Sequence, residues 1–237
     1  MSGTELILRR VSRGAWSGLP ILLFASVAVC LAAALVVVLT PGVTPVSVLV
    51  FAALETPWAV ALLATVDDLI RMEDTSLADW CRGLCCFTGF GYAVMAVPAV
   101  AVSLFLVALE VWHQTHSVIA LGPVIVSAIV ATILGTASTA ALPLGIAHPQ
   151  LRGQRLWITG MHLVARWPVR FLAAPALLGF GVWVATQVSA SVLLLVPAPV
   201  ALVLGAGFWT SAAELDPSLP VREFSPPAVK IHAQGGR

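Results

Sequence analysis

Long apolar runs alternate along this chain with short segments that hold every cation. A helix needs about 20 apolar residues to cross the hydrocarbon core of a bilayer. The runs at 19–40, 46–66, 87–109 and 118–142 meet that length, and the fourth extends toward Ala147. No charged residue falls between Phe171 and Ala213. That stretch is too long for one tilted span. It predicts two, at 171–188 and 192–210, joined by a minimal turn at 189–191. Pro41, Gly42 and Pro45 predict a tight turn after the first span. A short loop at 113–116 follows the third.

Two polar segments carry helical periodicity of their own. Leu77, Trp80, Cys81, Leu84 and Cys85 recur at i, i+3, i+4, i+7 and i+8, an amphipathic helix. Ser76 and Asp79 resemble a capping box with Asp in place of Glu. In the second segment Arg155, Thr159, His162 and Arg166 share one face. It predicts a helix lying in the membrane plane, its cations on lipid phosphates or water. A coupling helix docked on a cytoplasmic partner is the alternative. The predicted fold is therefore all-α: a polytopic transmembrane bundle of six spans with two amphipathic cytoplasmic helices. Span, amphipathic helix and span recur at 46–109 and 118–188, the outline of a parallel repeat.

The cations orient the bundle. All 12 Lys and Arg lie in four segments: Arg9, Arg10 and Arg13; Arg71 and Arg82; Arg152, Arg155, Arg166 and Arg170; and Arg222, Lys230 and Arg237. Positive charge accumulates on the cytoplasmic side of membrane proteins. This predicts a multi-pass cell-membrane protein with both termini cytoplasmic. Residues 1–18 read as a cytoplasmic tail, 19–213 as the bundle, and 214–237, with four prolines, as a disordered cytoplasmic tail. The 19–40 run is too long for a secretory signal, and 41–44 is no small-residue cleavage site, so it reads as a retained span. A hydrophobic fraction of 59% with 10% charged residues excludes a soluble domain. A net charge of +1 leaves no basic field for nucleic acid. The lipid bilayer is the first partner.

Candidate chemistry is sparse. Glu55 is the one ionisable side chain deep in a span. It lies 12 residues from Asp67, about 18 Å along a helix. Intramembrane carboxylates are costly and mark function by default. No cation in a span pairs with it, so its neutral form is favoured. Two roles are open: a structural hydrogen bond to Thr132, Thr136 or Ser138, or coupling to a proton or substrate. Arg152, Arg155, Arg166 and Arg170 are candidate contacts to lipid or to a partner. Cys81, Cys85 and Cys86 read as interfacial thiols or S-acylation sites. His113 and His116 read as loop residues, two ligands being too few for a metal site. Six of the eight Trp fall at span ends, where an aromatic belt belongs, while Trp58 and Trp183 lie deeper as packing residues. There is no phosphate-binding loop, no metalloprotease motif and no nucleophile elbow. No cofactor is expected, and the chain is not expected to be an enzyme.

One segment has a family cadence. Pro57-Trp58-Ala59-Val60-Ala61-Leu62, then Arg71-Met72-Glu73-Asp74, then Asp79-Trp80-Cys81-Arg82-Gly83-Leu84, resembles the YesL-like family of small bacterial membrane proteins. Trp167-Pro168-Val169-Arg170 falls where that family has Pro and Arg before a span. Thr56 replaces the family's Gly, and Asp67-Asp68 its Arg-rich turn, so this loop is more acidic. The resemblance implies five or six spans and association with ABC-type carbohydrate importers. It implies an accessory role beside permease and ATPase subunits, and it carries no site residues. The alternative is a small secondary carrier built on Glu55.

Overall fold

The computed structural model describes residues 3–40, 42–72 and 75–215. The predicted tail is described only at Glu214 and Leu215, which continue the last helix; its remainder, like Glu73 and Asp74 of the family-like turn, lies outside the described residues. Among the described residues the chain is helical throughout. The helices are α1 (Gly3–Ser17), α2 (Leu19–Leu39), α3 (Pro45–Met72), α4 (Leu77–Thr115), α5 (Val118–Ala147), α6 (Gln154–Arg166), α7 (Pro168–Gln187) and α8 (Pro197–Leu215), with a 3₁₀ helix at Ala190–Leu195 before the last. Six segments are long and apolar enough to cross a membrane, so the chain has the makeup of a multi-pass membrane protein.

Three boundaries differ from the sequence reading. Residues 1–18 are no simple tail: α1 is an amphipathic helix, with Ile7 fully buried and Trp16 and Leu8 exposed. Its Gly14, and Gly18 at the junction with α2, lie against Leu69 of α3, where an added Cβ would fall 2.6–2.8 Å from that side chain. The helix begun at Ser76 is not separate from the third span. It continues unbroken as the 39-residue α4. Its N-terminus is capped as expected: Ser76 Oγ accepts the Asp79 N–H at 3.3 Å, and Asp79 Oδ2 accepts the Ser76 N–H at 3.1 Å. The second amphipathic helix, α6, does stand alone. Pro168 disfavours helical geometry at the preceding residue, and Trp167 turns out at φ −131° and ψ 60°. Lacking that break, the first half fails to match the second, and the repeat is not reproduced. Finally, α7 and α8 are joined by the 3₁₀ helix rather than a minimal turn.

α3 occupies the centre, packed on α1, α2, α4, α5 and α8. Apolar burial offers helices in lipid little reason to associate, so close packing of small residues and internal hydrogen bonds take over. Gly83 and Gly91 of α4 lie on α3: a Cβ at Gly91 would fall 2.6 Å from Val60 and 2.9 Å from Thr56. Gly205 of α8 meets Val66 in the same way. The core is Val60, Ala61, Val66 and Ile70 of α3 with Ala140, Ala141, Phe171, Phe208 and Trp209. Pro57 lies within the continuous α3 and removes the backbone donor that would reach the Ala53 carbonyl. A freed carbonyl at membrane depth needs another partner. Tyr92 of α4 supplies it, its hydroxyl donating to Ala53 O at 2.9 Å.

Candidate functional site

Glu55 sits on α3, two residues from both Ala53 and Pro57. It is half-buried, and its Oε2 is sealed from solvent with no hydrogen-bond partner. The expected partners on α5 are otherwise engaged. Thr132 Oγ1 donates to Ala128 O at 2.8 Å, Thr136 Oγ1 to Thr132 O at 2.8 Å, and Ser138 Oγ to Gly135 O at 2.7 Å. Ser and Thr in spans commonly bond back to their own helix in this way. The Cys30 thiol donates to Leu193 O at 3.1 Å, which ties α2 to the 3₁₀ helix.

A second polar site is built at the arginine-bearing end. Asp67 and Arg71 lie one turn apart on α3, with Arg71 Nε 2.8 Å from Asp67 Oδ2. The Trp209 indole of α8 donates to Asp67 Oδ1 at 2.9 Å. The Arg71 guanidinium stacks over the Trp209 ring, 4.9 Å from its centroid. Arg71 Nη2 donates to Ala147 O at the end of α5, at 3.1 Å. A helix C-terminus presents unpaired carbonyls and partial negative charge, so a cation is well placed there. Arg10 Nη1 of α1 in turn donates to Arg71 O at 2.8 Å. Four helices thus meet on one ion pair. The i, i+4 spacing of Asp67 and Arg71 was visible in the sequence. Trp209 and Arg10 were not, because they arrive from distant parts of the chain.

The four candidate arginines divide. Arg170 forms an ion pair with Glu214 and lies 3.4 Å from Ser211 Oγ, clamping α7 to α8. Arg166 stacks over Trp167 at 4.8 Å. Arg152 stacks over Phe90 of α4 at 4.4 Å. Arg155 is exposed on α6. On that helix Leu156, Gly160 and Leu163 face the bundle and Arg155, His162 and Arg166 face out, as the periodicity predicts.

The aromatic residues need revision. Trp80 and Trp209, read as belt residues, are buried in the core. Trp80 stacks on Trp58 at 5.8 Å and meets Phe24 edge-on at 5.3 Å. Trp183, read as a packing residue, is 58% exposed. His113 and His116 lie 5.9 Å apart between ring centroids. Among the described residues no three His, Cys, Asp or Glu are placed to hold a metal. Cys81, Cys85 and Cys86 are free thiols on the exposed side of α4.

Two cavities lie along α4, and Glu55 lines neither of them. The larger, about 740 Å³, is an apolar groove between the C-terminal half of α4 and the N-terminal half of α5, lined by Ala96, Val100, Ala101, Pro123, Val126 and Val130 among others. The smaller, about 380 Å³, lies between α4 and the start of α6. Compared with known protein families, curated proteins and solved structures, the chain matches none.

Proposed function

We propose that this chain is a non-catalytic accessory subunit of a larger membrane assembly. The observation that carries the reading is the uncovered apolar stretch of α5 ahead of its buried C-terminal third. Only 6% of its most apolar stretch is buried, against 22–39% in the other five spans. The same edge bears the groove, an almost wholly apolar hollow into which a neighbouring helix could pack by van der Waals contact. An ABC-type carbohydrate importer is the partner class that the YesL-like resemblance supplies. The arginine-bearing end is the cytoplasmic end in this reading, with both termini on that side of the cell membrane. Reporter fusions at 41–45 and 113–116 read as external if the orientation is right; a cytoplasmic signal at His113 reverses it. Affinity purification in mild detergent brings down permease or ATPase subunits. Recovery of the chain alone, with normal sugar uptake in a deletion strain, overturns the assignment.

A second reading rests on Glu55. A buried carboxyl oxygen without a partner suits a group that takes up and releases a proton. In that reading the chain is a small carrier.

A further inference from the structure

The 380 Å³ cavity falls within the ~300–1,000 Å³ range of small-molecule sites. Its floor is apolar, made by Phe90, Ala93 and Val94 on one stripe of α4 and by Leu156 of α6. Its mouth carries Arg152 and Trp157. The Arg152 guanidinium is held in place over the Phe90 ring at 4.4 Å. Gly153 makes this possible: at φ +59° it turns the chain from Arg152 into α6, a conformation side chains rarely adopt. No acidic residue occurs between Glu110 and Glu214. Arg82 is neutralised by Asp79 and Arg170 by Glu214, but Arg152 and the neighbouring Arg155 have no carboxylate partner among the described residues.

We propose that this cavity is a binding site for one anionic phospholipid molecule. Its phosphate sits on Arg152, with the exposed Arg155 one turn along adding positive charge, and the start of an acyl chain runs along Phe90, Ala93 and Val94. A guanidinium matches phosphate oxygens in pairs, and weak hydration makes Arg suited to a half-apolar setting. Trp157 belongs at the level where headgroup meets chain. Two unpaired cations repel the choline of a zwitterionic lipid and favour a headgroup of net negative charge. The floor calls for a tethered chain, which free phosphate lacks. This inference is independent of the accessory role.

The test is native mass spectrometry of the full chain with phosphatidylglycerol, phosphatidylcholine or inorganic phosphate. The expected result is one retained phosphatidylglycerol, with phosphatidylcholine retained about tenfold less. Arg152→Gln lowers phosphatidylglycerol occupancy several-fold. Arg166→Gln, which removes the same charge from the far end of α6, leaves it unchanged. Ala93→Phe fills the floor and also lowers occupancy; if that variant does not fold, Arg152→Gln decides alone. Equal retention of the two lipids overturns the proposal. So does an equal loss with Arg166→Gln, the mark of diffuse surface charge, or displacement of the lipid by inorganic phosphate.

Discussion

The indole of Trp209 donates a hydrogen bond of 2.9 Å to Asp67, joining the last span to the central one across 142 residues. The same carboxylate pairs with Arg71, whose guanidinium covers the Trp209 ring and reaches the end of α5. Trp209→Phe keeps the ring and removes the donor. A hydrogen bond to a charged group is worth about 1.5–3 kcal/mol, and thermal unfolding in detergent should report a loss of that order. Asp67→Ala should cost more, because it strips Arg71 of its counter-charge. The loss stays below the ~3–5 kcal/mol of a fully buried pair, since the two side chains keep 13% and 19% exposure. Equal stability of wild type and Asp67→Ala would show that the network holds nothing.

Tyr92 is the only tyrosine in the chain, and its hydroxyl repairs the carbonyl that Pro57 leaves open. Tyr92→Phe should destabilise by about 0.6 kcal/mol, the average for side-chain hydrogen bonds in membranes. Pro57→Ala restores the helical donor to Ala53. In that background Tyr92→Phe should be nearly silent, and a double-mutant cycle reads the difference.

Two glycines of α4 separate packing from propensity. A Cβ at Gly91 collides with Val60 and Thr56, whereas one at Gly89 meets nothing within 4 Å. Gly91→Ala should lower stability by about 1–3 kcal/mol through overpacking. Gly89→Ala should be neutral or slightly stabilising, as Ala favours helix over Gly. Matched melting curves of the two variants provide the check.

Glu55→Gln tests the carrier reading. Gln retains shape and hydrogen-bonding capacity but cannot release a proton. The accessory account expects normal membrane levels and normal function. Normal levels with function lost would transfer the assignment to the carrier.

Span number and approximate limits were legible because length and apolarity are local properties. So was the cap at Ser76, whose partners are three residues apart. The union of the first amphipathic segment with α4 was not legible, since no proline marks that junction as Pro168 marks the one after α6. The helix at residues 3–17 was hidden by its charge, which reads as a tail until Ile7 is seen buried. Glu55 was found from its place in an apolar run, but its expected α5 partners were misassigned. Periodicity says which face a residue occupies and not whether a hydroxyl there turns back to its own helix. The Asp67 network depends on contacts between distant segments, which no local pattern encodes.

The most direct test of the accessory role is photo-crosslinking in intact membranes from two positions. Val126 lines the groove between α4 and α5, and Val182 is exposed on α7. With a photoreactive residue at Val126, the account predicts a covalent adduct to an importer permease subunit, identified by mass spectrometry. The same residue at Val182 should give none. Lipid adducts alone at both positions, together with normal sugar uptake in cells lacking the protein, would contradict it.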